Sequence, residues 1–136
     1  MKIFIICSKV FYDKIPAIEK ELENNGHIIT LPNCFDNPEE ENLYKELGRK
    51  EHSKWKSLKI KESEDKIKII DAVLVLNFKK NEIKNYIGGA TFLEMHDTFK
   101  LNKKIFMYNN IPDGILHDEI VGFSPVIINQ NLNLIK

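Results

Sequence analysis

A carboxylate placed about one and a half turns inside a helix that opens on two glycines is the arrangement in this chain best suited to chemistry. The stretch Tyr86-Ile-Gly-Gly-Ala-Thr-Phe-Leu-Glu-Met95 lies downstream of the apolar run Asp71-Ala-Val-Leu-Val-Leu-Asn77. Together they read as a buried strand ending in polar residues, a loop, and a glycine pair at a helix start. In an open parallel α/β sheet, ligands sit where a strand's carboxyl end meets the amino end of the next helix. Helical side chains lean toward the amino terminus, so Glu94 can face such a crevice. There it can act as a nucleophile at an electrophilic sugar carbon. The ordinary alternative is a solvated surface glutamate favoured by the helix dipole.

Other residues border the same place. Asn77, at the exit of its strand, has an amide suited to a base or a sugar hydroxyl, or else is a turn-forming asparagine. Ser8 ends the first apolar run, where a hydroxyl and free backbone N–H groups can hold a phosphate or sugar oxygen; it can equally open a helix. Gly88 and Gly89 suggest close backbone approach, to a ligand or to the sheet. Lys9, Tyr12 and Tyr86 are candidate crevice-lining side chains, and His96-Asp97 can touch its rim. Asp71 is about six residues from Asn77, about 20 Å at strand rise, which puts it at the opposite end of the sheet.

Several chemistries lack their signatures. No G-x-G-x-x-G follows the first strand and no Walker lysine motif is present, so a dinucleotide or P-loop site is not expected. His27, His52, His96 and His117 show no paired ligand spacing, and Cys7 and Cys34 do not complement them, so neither a metal nor a cofactor is expected. A phosphoacceptor receiver needs an acidic cluster after strand one and an Asp after strand three; Cys7-Ser8-Lys9 and Asn77 stand there. A flavodoxin's Ser/Thr/Gly-rich phosphate loop is also missing.

The elements that must position Glu94 follow from hydrophobic patterning. Lys2-Ile-Phe-Ile-Ile-Cys-Ser8 fits a central strand covered on both faces, with Cys7 a small buried hydrophobe. An amphipathic helix follows over about Tyr12 to Asn25, with Ile15, Ile18 and Leu22 on one face and Pro16 in its first turn. His27 to Leu31 is a second strand, stopped by Pro32. Glu39 to about Ile69 favours helix, broken near Gly48, with Leu43, Leu47, Trp55, Leu58 and Ile60 as candidate core contacts. Strands over Ile70 to Asn77, Lys104 to Tyr108 and Pro125 to Asn129 alternate with helices over Gly88 to Asn102 and Ile115 to Val121. Alternation of this kind predicts a single flavodoxin-like α/β domain over residues 1–136, a three-layer sandwich on a five-stranded parallel sheet of order 2-1-3-4-5.

The chain's 136 residues suit one domain with a real core, and its 43% hydrophobic and 29% charged residues are those of an ordinary soluble protein. A formal net charge of +0 supplies no field favouring polymeric nucleic acid or an acidic membrane. Two cysteines without redox spacing, and an amino-terminal apolar run too short for a signal, suggest a cytoplasmic protein.

Lys2 to Ser8, Asp71 to Asn77, Gly88-Gly-Ala-Thr-Phe-Leu-Glu94 and Leu101-Asn-Lys-Lys-Ile-Phe106 together resemble the nucleoside 2-deoxyribosyltransferase-like superfamily, which includes deoxyribonucleotide N-glycosidases. The resemblance is strongest to a small microbial branch carrying Tyr-Ile-Gly-Gly-Ala-Thr. It implies that Glu94 attacks the anomeric carbon of a 2-deoxynucleoside, expels the base and forms a glycosyl ester, released by a second base or by water. It also implies a base-contacting role for Asp71, and oligomers, a homodimer or higher, in which carboxyl-terminal segments such as Phe123 to Ile135 complete a neighbour's site. Three departures stand out. Gly88 is near the position of an acidic sugar anchor, Cys7-Ser8 replaces a Gly-Ser or Gly-Gly, and His96-Asp97-Thr98 replaces small residues after the glutamate. The expected function is cleavage or transfer at the N-glycosidic bond of a nucleoside or nucleotide. The alternatives are a non-catalytic nucleotide-binding module and a scaffold sharing the fold.

Overall fold

Apolar residues alternate between two faces along each central strand, and that alternation divides the core in two. A computed structural model describes all residues from Met1 to Lys136. Its strands are β1 (Lys2–Ile6), β2 (Ile28–Thr30), β3 (Ala72–Val75), β4 (Lys104–Met107) and β5 (Val126–Ile127). They form one all-parallel sheet in the order β2-β1-β3-β4-β5. The helices are α1 (Ile15–Asn24), α2 (Glu40–Leu47), α3 (Arg49–Lys68), α4 (Gly89–Lys100) and α5 (His117–Gly122).

On one face Ile3, Ile5, Leu74 and Phe106 pack with Ile15, Ile18 and Leu22 of α1 and with Leu132 and Ile135 of the carboxyl-terminal segment. On the other, Phe4, Ile6, Val73 and Val75 pack with Ile67 of α3, Met95 of α4 and Ile120 of α5. Both faces are therefore covered, as continuous apolar strands require. The predicted three-layer architecture and strand order are those observed. The tail residues Ile128, Leu132 and Ile135 lie inside this chain's own core. No helix is long and apolar enough to cross a membrane.

The first predicted helix divides in two. Lys9–Lys14 is a 3-10 helix, and α1 begins at Ile15 with Pro16 in its first turn, where the missing N–H has no intrahelical partner to lose. The segment Glu39 to Ile69 breaks at Gly48, whose φ of 133° is open to glycine and strained for other residues. Of the five core contacts expected there, only Trp55 is buried. Leu43, Leu47, Leu58 and Ile60 are 55%, 67%, 61% and 41% exposed. The reason lies in the packing. The carboxyl half of α3 seats Ile67 in the core, whereas its amino half packs against α2, which has no buried residue of its own.

Candidate functional site

A cavity of about 340 Å³ lies at the carboxyl ends of β1 and β2, against the amino end of α4, with α3 as its far wall. That volume is at the lower end for small-molecule sites. Ser8, Tyr12, Gly88, Gly89 and Glu94 all line it. The sheet explains their meeting: β1 and β3 are neighbours, so the segments leaving their carboxyl ends converge there.

Neither glycine is required by backbone conformation or by the sheet. Gly88 is extended at φ −82°, and a Cβ there would make only ordinary contact with Tyr86. A Cβ on Gly89 would meet nothing within 4 Å. The open space at Gly89 belongs to the cavity. No side chain caps α4, so its first N–H groups are left without intrahelical or side-chain partners beside that space.

Glu94 is held between a buried neighbour and a polar one. Met95 is fully buried under the sheet, which fixes the rotation of α4. The Thr98 hydroxyl donates to the Glu94 carbonyl at 2.7 Å. The Ser63 hydroxyl of α3 donates to Glu94 Oε2 at 2.8 Å. Burial pushes the Glu94 carboxyl up to about 7, assisted by the Asp97 charge and opposed by the Ser63 hydrogen bond and the Lys66 and Lys56 ammonium groups. A carboxyl that changes charge near neutrality suits proton transfer or nucleophilic attack.

The other acids of the cavity are tuned apart. Burial raises Glu41, but hydrogen bonds from His52 and Lys56, at 2.8 and 3.1 Å, outweigh it and leave the group below its ordinary value. Asp97 is held above its ordinary value by burial and then by the Glu64 charge, with His96 opposing. Burial, followed by the Glu94 charge, pushes the Cys7 thiol up to about 12, so it stays protonated and unreactive. Tyr12 is likewise raised, first by burial, and its hydroxyl remains a donor. Cys7 and Cys34 both line the cavity and are free.

Two residues from the sequence reading lie elsewhere. Asp71 is exposed at the amino ends of β1 and β3, where Oδ2 accepts the Lys2 backbone N–H at 2.7 Å. It does not reach the cavity, so the base contact implied by the resemblance is corrected. Asn77 is fully buried, and its amide is occupied. Nδ2 donates to the carbonyls of Asn109 and Asn110 at 3.1 and 2.9 Å, while Oδ1 accepts the Asn109 N–H at 2.9 Å. It pins the loop after β4 to the end of β3, instead of facing a ligand. Asp97 lines the cavity; His96 does not.

The far wall went unread in the sequence. Trp55, Lys59 and Ser63 of α3 recur every fourth residue, with Lys56 and Ile60 beside them, and all five line the cavity. That stripe is a helical face and was the available signal. Trp55 is stacked against Tyr44 and His52, with ring centroids 5.9 and 6.2 Å away, and its indole N–H donates to Glu40 Oε1 at 3.1 Å. Lys9 and Lys80 also line the cavity and form no ion pair with a carboxylate; the Lys80 ammonium sits 4.6 Å from the Tyr86 ring centroid. No group of three His, Cys, Asp or Glu side chains is placed to hold a metal ion.

Comparison with known proteins returned no matching family model, no curated relative and no solved structure.

Proposed function

We propose that this protein breaks or transfers the N-glycosidic bond of a nucleoside or nucleotide, a 2-deoxy sugar being favoured by the resemblance, with Glu94 as nucleophile. The observation that carries the reading is the Glu94 carboxyl group. It lies on the wall of a small-molecule-sized cavity, receives one hydrogen bond, and titrates close to neutrality. A glycosidic transition state has oxocarbenium character, which a neighbouring carboxylate stabilises and then captures.

In the first step a Glu94 oxygen bonds to the anomeric carbon as the carbon–nitrogen bond breaks. The bonding pair leaves with the base, which takes up a proton. Solvent reaching the cavity supplies that proton, because Asp97 acts on Glu94 as a negative charge. In the second step water or an N–H of another base attacks the anomeric carbon of the glycosyl ester, releases its proton to solvent, and Glu94 leaves as carboxylate. Tyr12, Tyr86 and Trp55 give the cavity aromatic surface against which a base can pack. Lys9 and Lys80 offer positive charge to a phosphorylated sugar. Assembly into a homodimer or higher belongs to the same proposal and is checked by mass in solution.

The second reading, a nucleotide-binding module without catalysis, is favoured by Asp97. This second acid, one turn from Glu94 on the cavity wall, opposes an anionic nucleophile. Incubation with deoxynucleosides and their 5′-monophosphates, followed by chromatography for free base, separates the two. Release that disappears in Glu94→Ala supports the enzyme. Binding without release, unaffected by that substitution, supports the module.

A further inference from the structure

We infer that Ser63 is the positioning residue for Glu94, and that Asn33 fixes the direction in which the Ser63 hydroxyl points. The inference deepens the proposed function and rests on Glu94 as its nucleophile.

A serine hydroxyl has one proton and can donate it or accept another's. Which it does here is decided two bonds away. The Asn33 Nδ2 atom lies 3.1 Å from the Lys59 carbonyl oxygen and 2.8 Å from Ser63 Oγ. A carbonyl only accepts, so the end of the Asn33 amide facing Lys59 must be the NH₂ group. Its second N–H then points into Ser63 Oγ and occupies an acceptor site there. The Ser63 proton is left for Glu94 Oε2, at 2.8 Å. Three side chains from the loop after β2, from α3 and from α4 thus form a one-way chain of donors ending on the carboxylate.

The arrangement has a cost that argues for it. Asn33 Oδ1 is buried and has no partner in the protein. Turning the amide would set its oxygen against the Lys59 carbonyl and would present an acceptor to Ser63, drawing the proton away from Glu94. The orphaned oxygen is the consequence of aiming both N–H groups.

No other group in the site gives Glu94 a hydrogen bond. The charged and titratable neighbours are Lys56 and Lys66 on α3, Asp97 on α4, Cys7 beyond β1 and Tyr12 on the 3-10 helix. Both lysines are tethered elsewhere, Lys56 to Glu41 at 3.1 Å and Lys66 to the Leu31 carbonyl at 3.2 Å. Their charges act at a distance, whereas Ser63, 5% exposed, fixes the oxygen that must reach the anomeric carbon.

The test is a ¹³C NMR titration of the Glu94 carboxyl in the full chain, run beside the pH dependence of base release. Ser63→Ala is expected to move the Glu94 midpoint upward by about one to two pH units, the worth of a hydrogen bond to a charged group. The acid limb of the release rate should move with it. Asn33→Ala should shift the midpoint in the same direction by less, because Ser63 keeps its proton but loses its orientation. A Glu94 midpoint unchanged in a folded Ser63→Ala protein overturns the inference even if base release persists. A shifted midpoint in a protein that releases no base leaves the hydrogen-bond chain standing and removes the glycosidic function instead. If Ser63→Ala does not fold, the Asn33→Ala titration decides by the same criterion.

Discussion

The two walls of the cavity are built on opposite principles. The α4 wall is anchored from behind: Met95 and Thr98 are fully buried and Thr91 nearly so. The wall made by α2 and the amino half of α3 has almost no apolar backing. α2 buries no residue, and it is held by Glu40 and Glu41 reaching Trp55, His52, Lys56 and Lys59. Apolar burial is non-directional and strong, so it sets where an element sits. Polar contacts between part-exposed side chains contribute little individually, and their value lies in alignment. The reactive carboxylate is placed on the rigid wall, and its hydrogen-bond donor Ser63 comes from the carboxyl half of α3, which Ile67 anchors in the core.

The sharpest way to break this contrast is to remove the anchor. Met95→Ala is expected to cost about 2–5 kcal/mol of unfolding free energy in a urea titration, since it opens a hole in a packed core. A cost below 1 kcal/mol would mean that α4 is not held by burial.

The next effect concerns the carboxylate itself. Its folded value, about 7, lies above the ordinary 4.5, so the folded state binds the proton more tightly than the unfolded chain. The stability this gives is complete below about pH 4.5 and is lost as pH rises through about 7. Glu94→Gln cannot ionise. It should match the wild type near pH 4 and exceed it above pH 7 by an upper bound of about 3 kcal/mol, read from melting curves across pH. A gap independent of pH would show that ionisation of Glu94 does not strain the fold.

The polar wall should respond far less. Glu41→Gln removes the partner of His52 and Lys56, whose side chains are 28% and 41% exposed. The expected cost is about 0.2–1 kcal/mol, with faster hydrogen exchange confined to α2. Exchange that accelerates equally in α4 would mean the two walls move as one body. Smallest of all, Leu47→Ala, at a residue 67% exposed, should stay within about 0.5 kcal/mol of wild type. A larger loss would reveal a covering surface for α2.

This difference between the walls is also the difference between what was legible and what was not. Strand runs such as Ile3 to Ile6 and Ala72 to Leu76 are buried on both faces, so burial leaves its mark in consecutive residues. The helix opening at Gly88-Gly89 and carrying Glu94 was legible for the same local reason. In α3 apolar residues point to solvent as often as inward and in α2 none is buried, so Leu43, Leu47, Leu58 and Ile60 were misread as core because helix–helix contact here is mostly polar. Asp71 and Asn77 show a further limit. Both are polar residues at strand ends, and only tertiary contacts assigned them to the Lys2 backbone and to the loop after β4.

The residues themselves determined three central apolar strands and one carboxylate just inside a glycine-led helix, because these depend on neighbours a few positions apart, and the βα alternation with right-handed crossovers gave the order 2-1-3-4-5. Tertiary structure alone decided that Ser63, 31 positions before Glu94, would donate to it, and that Asn33, 30 positions earlier again, would aim that donation. A hydrogen bond requires atoms to meet within about 3 Å in one orientation. No local pattern of residue types specifies such a meeting until the sheet and its covering helices have packed.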